Sequence, residues 1–338
     1  MPKFAVISGF LGAGKTTVMM ALTQYSPAVA MISNDLGEGV ELADHRFAKL
    51  SGCSADQITD ECICFCHDRL LAALSRRYDE GFSLVVSDIP GFGVGALEHV
   101  YHGLAGRLDF APFTVIVEPG TIPQLTDGGD LAHIQDAQLR EADLIALNKC
   151  DLLSPEETAE ACAFLSECYP EAEVLPISAR DGVGIDALCR ALTEGSASMR
   201  HPEIDYDGDA LQSEMGSLSE YYLQYHARVC CFDFDGTAYL RALAEEIARS
   251  GASVPHLKLL AWSPDGDYGR VDWMSGQALQ ITRSFARPCT AVAAVINATA
   301  VCEPKRLDSI ISCAVETVSD RFGLALTMHR QDCFGMGE

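Results

Sequence analysis

A glycine-rich loop near the start of the chain constrains the fold more than any other feature. Residues 3–8 (KFAVIS) form a short apolar run, and a helical pattern follows over residues 15–25. The loop between them, GFLGAGKTT over residues 9–17, has the G-x-x-x-x-G-K-[ST] spacing of a phosphate-binding loop that joins a strand to a helix. Its glycines let backbone N–H groups turn toward phosphate oxygens, and the helix N-terminus adds partial positive charge. The loop therefore predicts a nucleotide-binding protein.

Two segments are predicted to form the phosphate and magnesium side of the site. Lys15 is placed to reach the β- and γ-phosphates, and the Thr16 hydroxyl is placed to ligate Mg²⁺. Residues 84–87 form another apolar run that ends at Asp88, and Gly91 follows three positions later. This D-x-x-G spacing brings a carboxylate near the Mg²⁺ ion and a backbone N–H to the γ-phosphate, so the segment should respond to loss of that phosphate. The predicted phosphate-side residues are Gly12, Ala13, Gly14, Lys15, Thr16, Thr17, Asp88 and Gly91, of which Lys15 and Asp88 are assigned to catalysis.

A third segment predicts which base is bound. The apolar run 142–147 ends in N-K-C-D over residues 148–151, an N-K-x-D sequence. The Asp151 carboxylate can accept hydrogen bonds from guanine N1–H and N2–H₂, whereas adenine offers no such pair of donors. An S-A pair after the run 174–177 supplies a backbone N–H for guanine O6. These features predict GTP, read by Asn148, Lys149, Asp151, Ser178 and Ala179.

An acidic pair follows the second apolar run of the chain. Asp35 and Glu38 come directly after residues 29–34. Carboxylates at this position can approach Mg²⁺ or the attacking water, so both are predicted to take part in catalysis. The alternative is a solvated acidic loop.

Three cysteines in five residues form a candidate metal site. Cys62, Cys64 and Cys66 alternate along the chain, and in an extended loop their thiols would point to one side. Thiolates suit Zn²⁺, Co²⁺ or Cu⁺ better than Mg²⁺, and three of them leave a fourth position open. Cys53 or His67 could occupy that position. The alternatives are packing as small apolar residues and a permanent structural zinc site.

Composition limits the class of protein. The chain has 338 residues, enough for two domains, and 48% of them are hydrophobic, so a sizeable core can be buried. A net charge of −24 argues against nucleic acid or an anionic membrane as the main partner. We expect no membrane-spanning segment and no signal peptide. Fourteen cysteines without a secretory segment then predict reduced thiols and a cytoplasmic protein.

The alternation of apolar runs and helical patterns predicts the architecture. Strands are expected from near Phe4, Val29, Leu84, Thr114, Leu144 and Val174, with helices over 15–25, 66–79, 95–105, 132–141, 155–168 and 184–193. Such alternation predicts an α/β fold, a P-loop NTPase parallel sheet with helices on both faces. After residue 225 the pattern changes to a small α+β domain with an antiparallel sheet, in which the first strand covers 227–233. The predicted domains are 1–195, an acidic linker 196–224, and 225–338.

One motif in the C-terminal part suggests a different activity. Residues 232–237 (FDFDGT) match the D-x-D-G-T nucleophile loop of haloacid dehalogenase-type phosphatases. The other elements of that fold have no clear counterpart here. We therefore expect a strand-end turn in which Asp235 or Thr237 caps the following helix.

The motifs over residues 1–195 resemble the CobW branch of the P-loop GTPases, which also include HypB and UreG. The loop over 8–17 is very close to that branch, residues 34–38 (NDLGE) stand where it has N-E-F-G-E, and residues 62–64 stand where it has C-x-C-C. Three positions depart from the pattern: Cys66 is displaced by one residue, Glu61 replaces a glycine, and Asp88 replaces a glutamate. Beyond residue 225 the order of strands and helices is similar to the CobW C-terminal domain.

The resemblance implies a GTP-hydrolysing metallochaperone. Such a protein would carry Zn²⁺ or Co²⁺ on Cys62, Cys64 and Cys66 and deliver it to a client metalloprotein, with GTP and Mg²⁺ as cofactors. Whether the protein forms a GTP-dependent homodimer is left open by the sequence. One alternative is a GTPase chaperone that loads corrinoid into, or reactivates, a cobalamin-dependent enzyme, with a corrinoid protein as partner. Another is a GTP switch with a purely structural zinc site.

Overall fold

Two units are present in the computed structural model of this protein, which describes residues 2–129, 131–229 and 232–336. The first unit consists of Met1–Leu36 and Gly52–Glu214. The second consists of Gly37–Ser51 and Met215–Glu338. The chain therefore leaves the first unit after its second strand, returns fifteen residues later, and crosses again after residue 214.

The first unit contains a parallel sheet. Its strands pair in the order β3-β2-β4-β1-β6-β7-β8, with β5 beside β1. The central strands are buried on both faces, which explains their nearly continuous apolar sequences. The strands are β1 (Lys3–Ser8), β2 (Val29–Asn34), β3 (Ala55–Ile58), β4 (Leu84–Asp88), β5 (Asp109–Phe110), β6 (Thr114–Val117), β7 (Leu144–Leu147) and β8 (Glu173–Pro176).

Helices alternate with these strands and cover the sheet. A π-helix over Leu97–His102 and a short 3₁₀ turn over Cys150–Leu152 add to the α-helices. The α-helices of the described chain are α1 (Lys15–Tyr25), α2 (Ala43–Leu50), α3 (His67–Asp79), α4 (Thr121–Asp127), α5 (Ala132–Glu141), α6 (Pro155–Cys168), α7 (Ile185–Glu194), α8 (Asp209–Gly216), α9 (Gly236–Arg249) and α10 (Pro304–Phe322). The α/β fold predicted from the sequence, with its parallel sheet, is confirmed.

The second unit contains an antiparallel sheet of six strands in the order β12-β11-β10-β13-β9-β14. Helices α9 and α10 pack on one face, where Tyr239, Leu243 and Ile311 join the buried core. The strands are β9 (Leu218–Val229), β10 (His256–Trp262), β11 (Tyr268–Trp273), β12 (Gln280–Arg283), β13 (Ala291–Val301) and β14 (Leu324–Gly335). The predicted small α+β domain with an antiparallel sheet is also confirmed.

Helix α2 belongs to the second unit because a buried ion pair fixes it to the sheet. Its Asp44 carboxylate lies 2.5 Å from Lys258 Nζ on β10 and 2.9 Å from Arg270 Nη2 on β11. Although burial raises the pKa of Asp44, the two cations outweigh it and hold that pKa far below its usual range. The Ala43 N–H also donates to Asn297 Oδ1 at 2.8 Å. Residues 37–51 are thus an insertion into the first unit that folds with the second.

Two expectations differ from the structure. The stretch predicted as a linker, 196–224, has no helix or strand over 196–208, but α8 follows and β9 begins at Leu218. The strand expected over 227–233 is this longer β9, whose early residues Ser219 and Glu220 are buried although polar. Cys230 and Cys231, in that expected strand, lie outside the described residues.

The phosphatase-like motif is a helix cap. Asp235 is the N-cap of α9, and its Oδ1 accepts from the N–H groups of Thr237 and Ala238 at 2.8 and 3.1 Å. The Thr237 hydroxyl accepts from the Phe285 N–H at 2.8 Å. The capping interpretation is therefore confirmed for Asp235. In the described part of the chain, no helix is long and apolar enough to span a membrane.

Candidate nucleotide and metal site

The phosphate-binding loop has a backbone that only glycine accommodates at two positions. Gly9 has φ +134°, and a Cβ there would come within 2.2 Å of the Ile116 carbonyl oxygen on β6. Gly14 has φ +98°, and a Cβ there would come within 2.4 Å of Asn148 Nδ2. The loop therefore lies tightly over the carboxyl ends of the neighbouring strands, with α1 beginning at the next residue.

Lys15 lies at the centre of this loop. Its Nζ donates to the Gly9 carbonyl at 2.7 Å. A Cβ added to Gly91 would lie 3.1 Å from the same Nζ, so the D-x-x-G segment approaches the lysine closely. Thr16 is buried at the start of α1, whereas Thr17 is exposed. The structure thus brings Lys15 and Gly91, one predicted phosphate-side residue from each segment, close together.

The D-x-x-G segment is held by a residue that the sequence did not reveal as functional. Gln138 on α5 is 1% exposed, and its Nε2 donates to the carbonyls of Gly91 and Gly93 at 3.1 and 2.9 Å. Asp88, at the end of β4, is buried and accepts from the Asn34 N–H at 2.7 Å. A glutamine on the buried face of α5 is the one sequence signal that could have indicated this role.

Asn148 connects the base-reading elements to the phosphate-binding loop. Its Nδ2 donates to the Ala13 carbonyl at 2.9 Å, and its Oδ1 accepts from the Ala179 N–H at 3.0 Å. The side chain is 3% exposed. Asn148 therefore fixes the loop and the S-A element relative to each other.

Asp151 contacts the S-A element and an exposed arginine. Its Oδ1 accepts from the Ser178 hydroxyl at 2.7 Å, and its Oδ2 lies 2.7 Å from Nη2 of the exposed Arg180. Lys149, in a left-handed backbone conformation, forms an ion pair with Glu118 at the end of β6. The sequence did not identify Arg180 or Glu118, because neither belongs to a motif with a known spacing.

These residues fit a guanine nucleotide with Mg²⁺. The loop offers a glycine cradle that a Cβ would fill, with an ammonium group beside it. Thr16 and Asp88 provide the hydroxyl and carboxylate oxygens that Mg²⁺ prefers. The second Asp151 oxygen, Oδ2, is paired with Arg180, whose long exposed side chain can move away.

The three cysteines lie in a turn and not in the extended loop expected from their alternation. The N–H groups of Phe65 and Cys66 donate to the Cys62 carbonyl at 2.9 and 3.3 Å, because the chain is already turning into α3. Cys64 N–H points to Cys62 Sγ at 3.4 Å, whereas Cys66 Sγ points to the Cys62 carbonyl at 3.3 Å. Within the described ranges the three thiols do not form a group whose sulfur atoms all lie within 4.8 Å of one another.

The thiols differ in their acidity. The pKa of Cys62 is lowered, chiefly because the Cys64 thiol donates to its sulfur, although burial and the carboxylates of Asp35 and Asp88 oppose this. The pKa of Cys64 is raised because it donates that hydrogen bond and is buried. Burial also raises the pKa of Cys66. Cys62 is therefore the first thiolate of the set, and it lies within electrostatic range of the carboxylates at the ends of β2 and β4.

The other candidate ligands contact groups outside the three cysteines. Cys53 Sγ accepts from Gln24 Nε2 at 4.0 Å, and His67 Nε2 donates to the His99 carbonyl at 2.9 Å. Glu38 belongs to the second unit, where its side chain is exposed and its N–H donates to Asp332 at 3.0 Å. The catalytic role of Glu38 stays a prediction.

Asn34 links the cysteine turn to the nucleotide site. This buried residue ends β2, and its Nδ2 donates to the carbonyls of Ile58 and Glu61 at 3.0 and 2.9 Å. Its Oδ1 accepts from the Ile63 N–H at 2.9 Å, and its own N–H donates to Asp88. Its position in the N-D-L-G-E segment was visible in the sequence, but these contacts were not.

Known families and solved structures include proteins that are similar to this chain. A family model described as CobW/HypB/UreG, nucleotide-binding domain, matches residues 3–176, more than half of the chain. Similar solved structures include HypB from Helicobacter pylori in complex with nickel, 18% identical over 57% of this chain and 86% of that chain, with a TM-score of 0.42. Zn(II)-bound YjiA GTPase from E. coli is 16% identical over 94% of this chain and 99% of that chain, with a TM-score of 0.40.

The matched range contains the phosphate-binding loop, the cysteine turn, the D-x-x-G segment and the N-K-x-D sequence. The resemblance found in the sequence is thus confirmed by the family model. The chain belongs to the CobW/HypB/UreG family of P-loop GTPases.

Proposed function

We propose that this protein is a GTP-dependent metallochaperone of the cytoplasm. It binds Zn²⁺ or Co²⁺ at Cys62, Cys64 and Cys66, hydrolyses GTP, and delivers the cation to a client metalloprotein. The observation that carries the proposal is the hydrogen bonding of Asn34, which joins the cysteine turn to Asp88.

This link makes the cysteine turn sensitive to the nucleotide site. Asn34 bonds to Glu61 and Ile63, the residues on either side of Cys62, and to the Asp88 carboxylate. A buried amide with all of its groups paired resists rearrangement, because an unpaired buried polar group costs about 1–3 kcal/mol. A displacement of Asp88 should therefore move the turn with it.

The bound nucleotide would supply a cluster of negative phosphate charge, and hydrolysis would remove part of that charge. On the protein side, Lys15 would hold the β- and γ-phosphates, Thr16 would ligate Mg²⁺, and Asp88 would support that ion. Asp35 and Glu38 are the proposed groups for the attacking water. Asp151 would select guanine, and Asn148 would keep the loop aligned with it.

The cysteine turn has the properties of a site whose three thiolates come together only when the nucleotide and the metal are bound. The Cys64 thiol donates a hydrogen bond to the Cys62 sulfur, and a cation with soft-ligand preference would replace that proton. Cys66 joins them only if its thiol leaves the Cys62 carbonyl, an arrangement that we call the open turn. We propose that the GTP-bound state favours the open turn and thereby completes the three-thiolate set.

The test is a titration of Zn²⁺ and of Co²⁺ with GDP or with a non-hydrolysable GTP analogue bound. We expect tighter metal binding with the analogue, by about 5–150-fold, and by linkage an equal gain in analogue affinity when metal is present. Cys64→Ala should lose the metal and the coupling while it keeps nucleotide binding. Cys168→Ala, an exposed thiol on α6, is the matched control and should keep both.

A second variant tests the link itself. Asn34→Ala should bind metal but lose its dependence on the nucleotide, with folding checked by urea unfolding. Identical wild-type metal affinities in the two nucleotide states would contradict the chaperone and leave a GTP switch with structural zinc. Co-purification with a corrinoid protein, without such coupling, would favour the cobalamin alternative.

A further inference from the structure

We propose that Glu98, His102 and His201 form a second site for a zinc-class divalent cation, distinct from the cysteine turn. All three residues belong to the first unit. Each offers one ligand atom, and these atoms all lie within 4.8 Å of one another. Within the described ranges this is the one group of three or more His, Cys, Asp or Glu side chains that meets this condition.

The site is built from a helix and from a segment far away in sequence. Glu98 and His102 are four residues apart on the π-helix, so they share one face. His201 comes from the irregular stretch after α7, and its Nδ1 lies 3.4 Å from Glu98 Oε2. A tetrahedral zinc ion with bonds of about 2.1 Å needs its ligand atoms about 3.4 Å apart. This pair already has that separation.

One ring nitrogen of His102 is oriented by a backbone carbonyl. Its Nε2 lies 3.1 Å from the Arg200 carbonyl oxygen. A carbonyl only accepts, so Nε2 carries a hydrogen, and in the neutral imidazole Nδ1 then has the lone pair that a metal needs. A metal-bound histidine usually donates its other ring N–H to a backbone carbonyl or a carboxylate.

The segment that carries His201 is positioned by its neighbour. The Arg200 guanidinium donates to the carbonyls of Arg140 and Ala142, at 2.6 and 2.5 Å. The His201 side chain itself is 72% exposed and stacks on the His102 ring at 4.0 Å. It can therefore rotate to direct a nitrogen at the ion while its backbone stays in place.

The ligand set determines which cation fits. Two imidazoles and a carboxylate suit Zn²⁺, Co²⁺ or Ni²⁺ better than the softer Cu⁺, and three protein ligands leave a position open for exchange. The same helix contacts the cysteine turn, because the His99 carbonyl accepts from His67 and the Phe65 ring lies 5.2 Å from the His99 ring. A cation held here would lie on an element that adjoins the thiol site.

The experiment is a Co²⁺ titration of the nucleotide-free protein, followed by visible absorption. Cobalt on nitrogen and oxygen ligands gives d–d bands without the thiolate-to-cobalt charge-transfer band of a cysteine site, so the two sites are read separately. We expect His201→Ala and Glu98→Gln to weaken the thiolate-free component by more than about tenfold, since loss of an outer partner alone costs that much. The charge-transfer band should be unchanged.

His133→Ala is the matched control. His133 also faces a glutamate, with Nδ1 2.6 Å from Glu214 Oε1, but it is not part of a three-ligand group in the described residues. This variant should bind Co²⁺ like the wild type. The proposal is overturned if the wild type shows no thiolate-free cobalt, or if His201→Ala binds it as tightly as the wild type, or if His133→Ala loses it equally. Because His201 is exposed, its truncation should not disturb the fold.

Discussion

Glu141, at the C-terminal end of α5, should impose a measurable pH dependence on the stability of the first unit. Its side chain is fully buried. Burial raises its pKa to about 7, although hydrogen bonds from Tyr206 and from the N–H groups of Leu97 and Gly95 oppose the rise. An ordinary glutamate has a pKa of 4.5. The folded protein therefore keeps this proton over a pH range in which the unfolded chain has lost it.

The sign and size of the effect follow from proton linkage. Between pH 4.5 and about 7 the folded state binds more protons, so the free energy of unfolding falls as the pH rises. The stabilisation is fully present below pH 4.5 and is lost as the pH passes through about 7. At about 1.4 kcal/mol for each pH unit between the two pKa values, the full effect is about 3 kcal/mol. The part between pH 5 and pH 8 is about 2–3 kcal/mol.

Urea unfolding of the wild type and of Glu141→Gln at pH 5, 6, 7 and 8 measures this effect. The amide leaves one backbone N–H without its acceptor, which costs about 1–3 kcal/mol at every pH. On top of that offset, the stability advantage of the wild type should shrink by about 2–3 kcal/mol from pH 5 to pH 8. Glu160→Gln, on the exposed face of α6, should show a difference that does not change with pH. A difference between the wild type and Glu141→Gln that stays constant with pH would refute the reasoning.

Three further substitutions test other parts of the molecule. Lys15→Ala should abolish GTP hydrolysis and leave the thermal melt nearly unchanged, because the ammonium contacts loop carbonyls and lies outside the apolar core; wild-type phosphate release would contradict its role. Asp151→Asn should shift binding from guanine toward xanthine nucleotides in fluorescence titrations, and equal wild-type affinity for GTP and ATP would exclude the guanine assignment. Asp44→Ala should lower the free energy of unfolding by about 3–5 kcal/mol, because it leaves Lys258 and Arg270 buried without their shared carboxylate. A loss below about 1 kcal/mol in urea would show that the pair behaves like a surface ion pair.

Local patterns predicted several elements to the residue. Helices over 15–25, 132–141 and 155–168 have the predicted bounds. The last of these begins with a capping box in which Ser154 and Glu157 bond reciprocally. The position of its N-terminus is therefore determined by residues that are close in sequence. Such elements were predictable because their periodicity and caps involve only neighbours in sequence.

Other elements depended on distant partners. Strand β9 was expected nine residues too late, because its first residues are polar and become strand only through pairing with β13 and β14. Helix α2 was not predicted, since its burial depends on the ion pair of Asp44 with residues more than two hundred positions later. The alternation of Cys62, Cys64 and Cys66 suggested one extended face, but the start of α3 turns the chain there.

The sequence by itself determined the fold class, the nucleotide motifs and the candidate thiols, because motif spacing acts through local backbone geometry. Only the tertiary structure decided which of these residues meet. It placed Asn34 between the cysteine turn and Asp88, and it brought His201 beside a helix one hundred residues earlier. Buried polar groups must find partners, and which partner is within reach depends on where the folded chain returns, which no local pattern encodes.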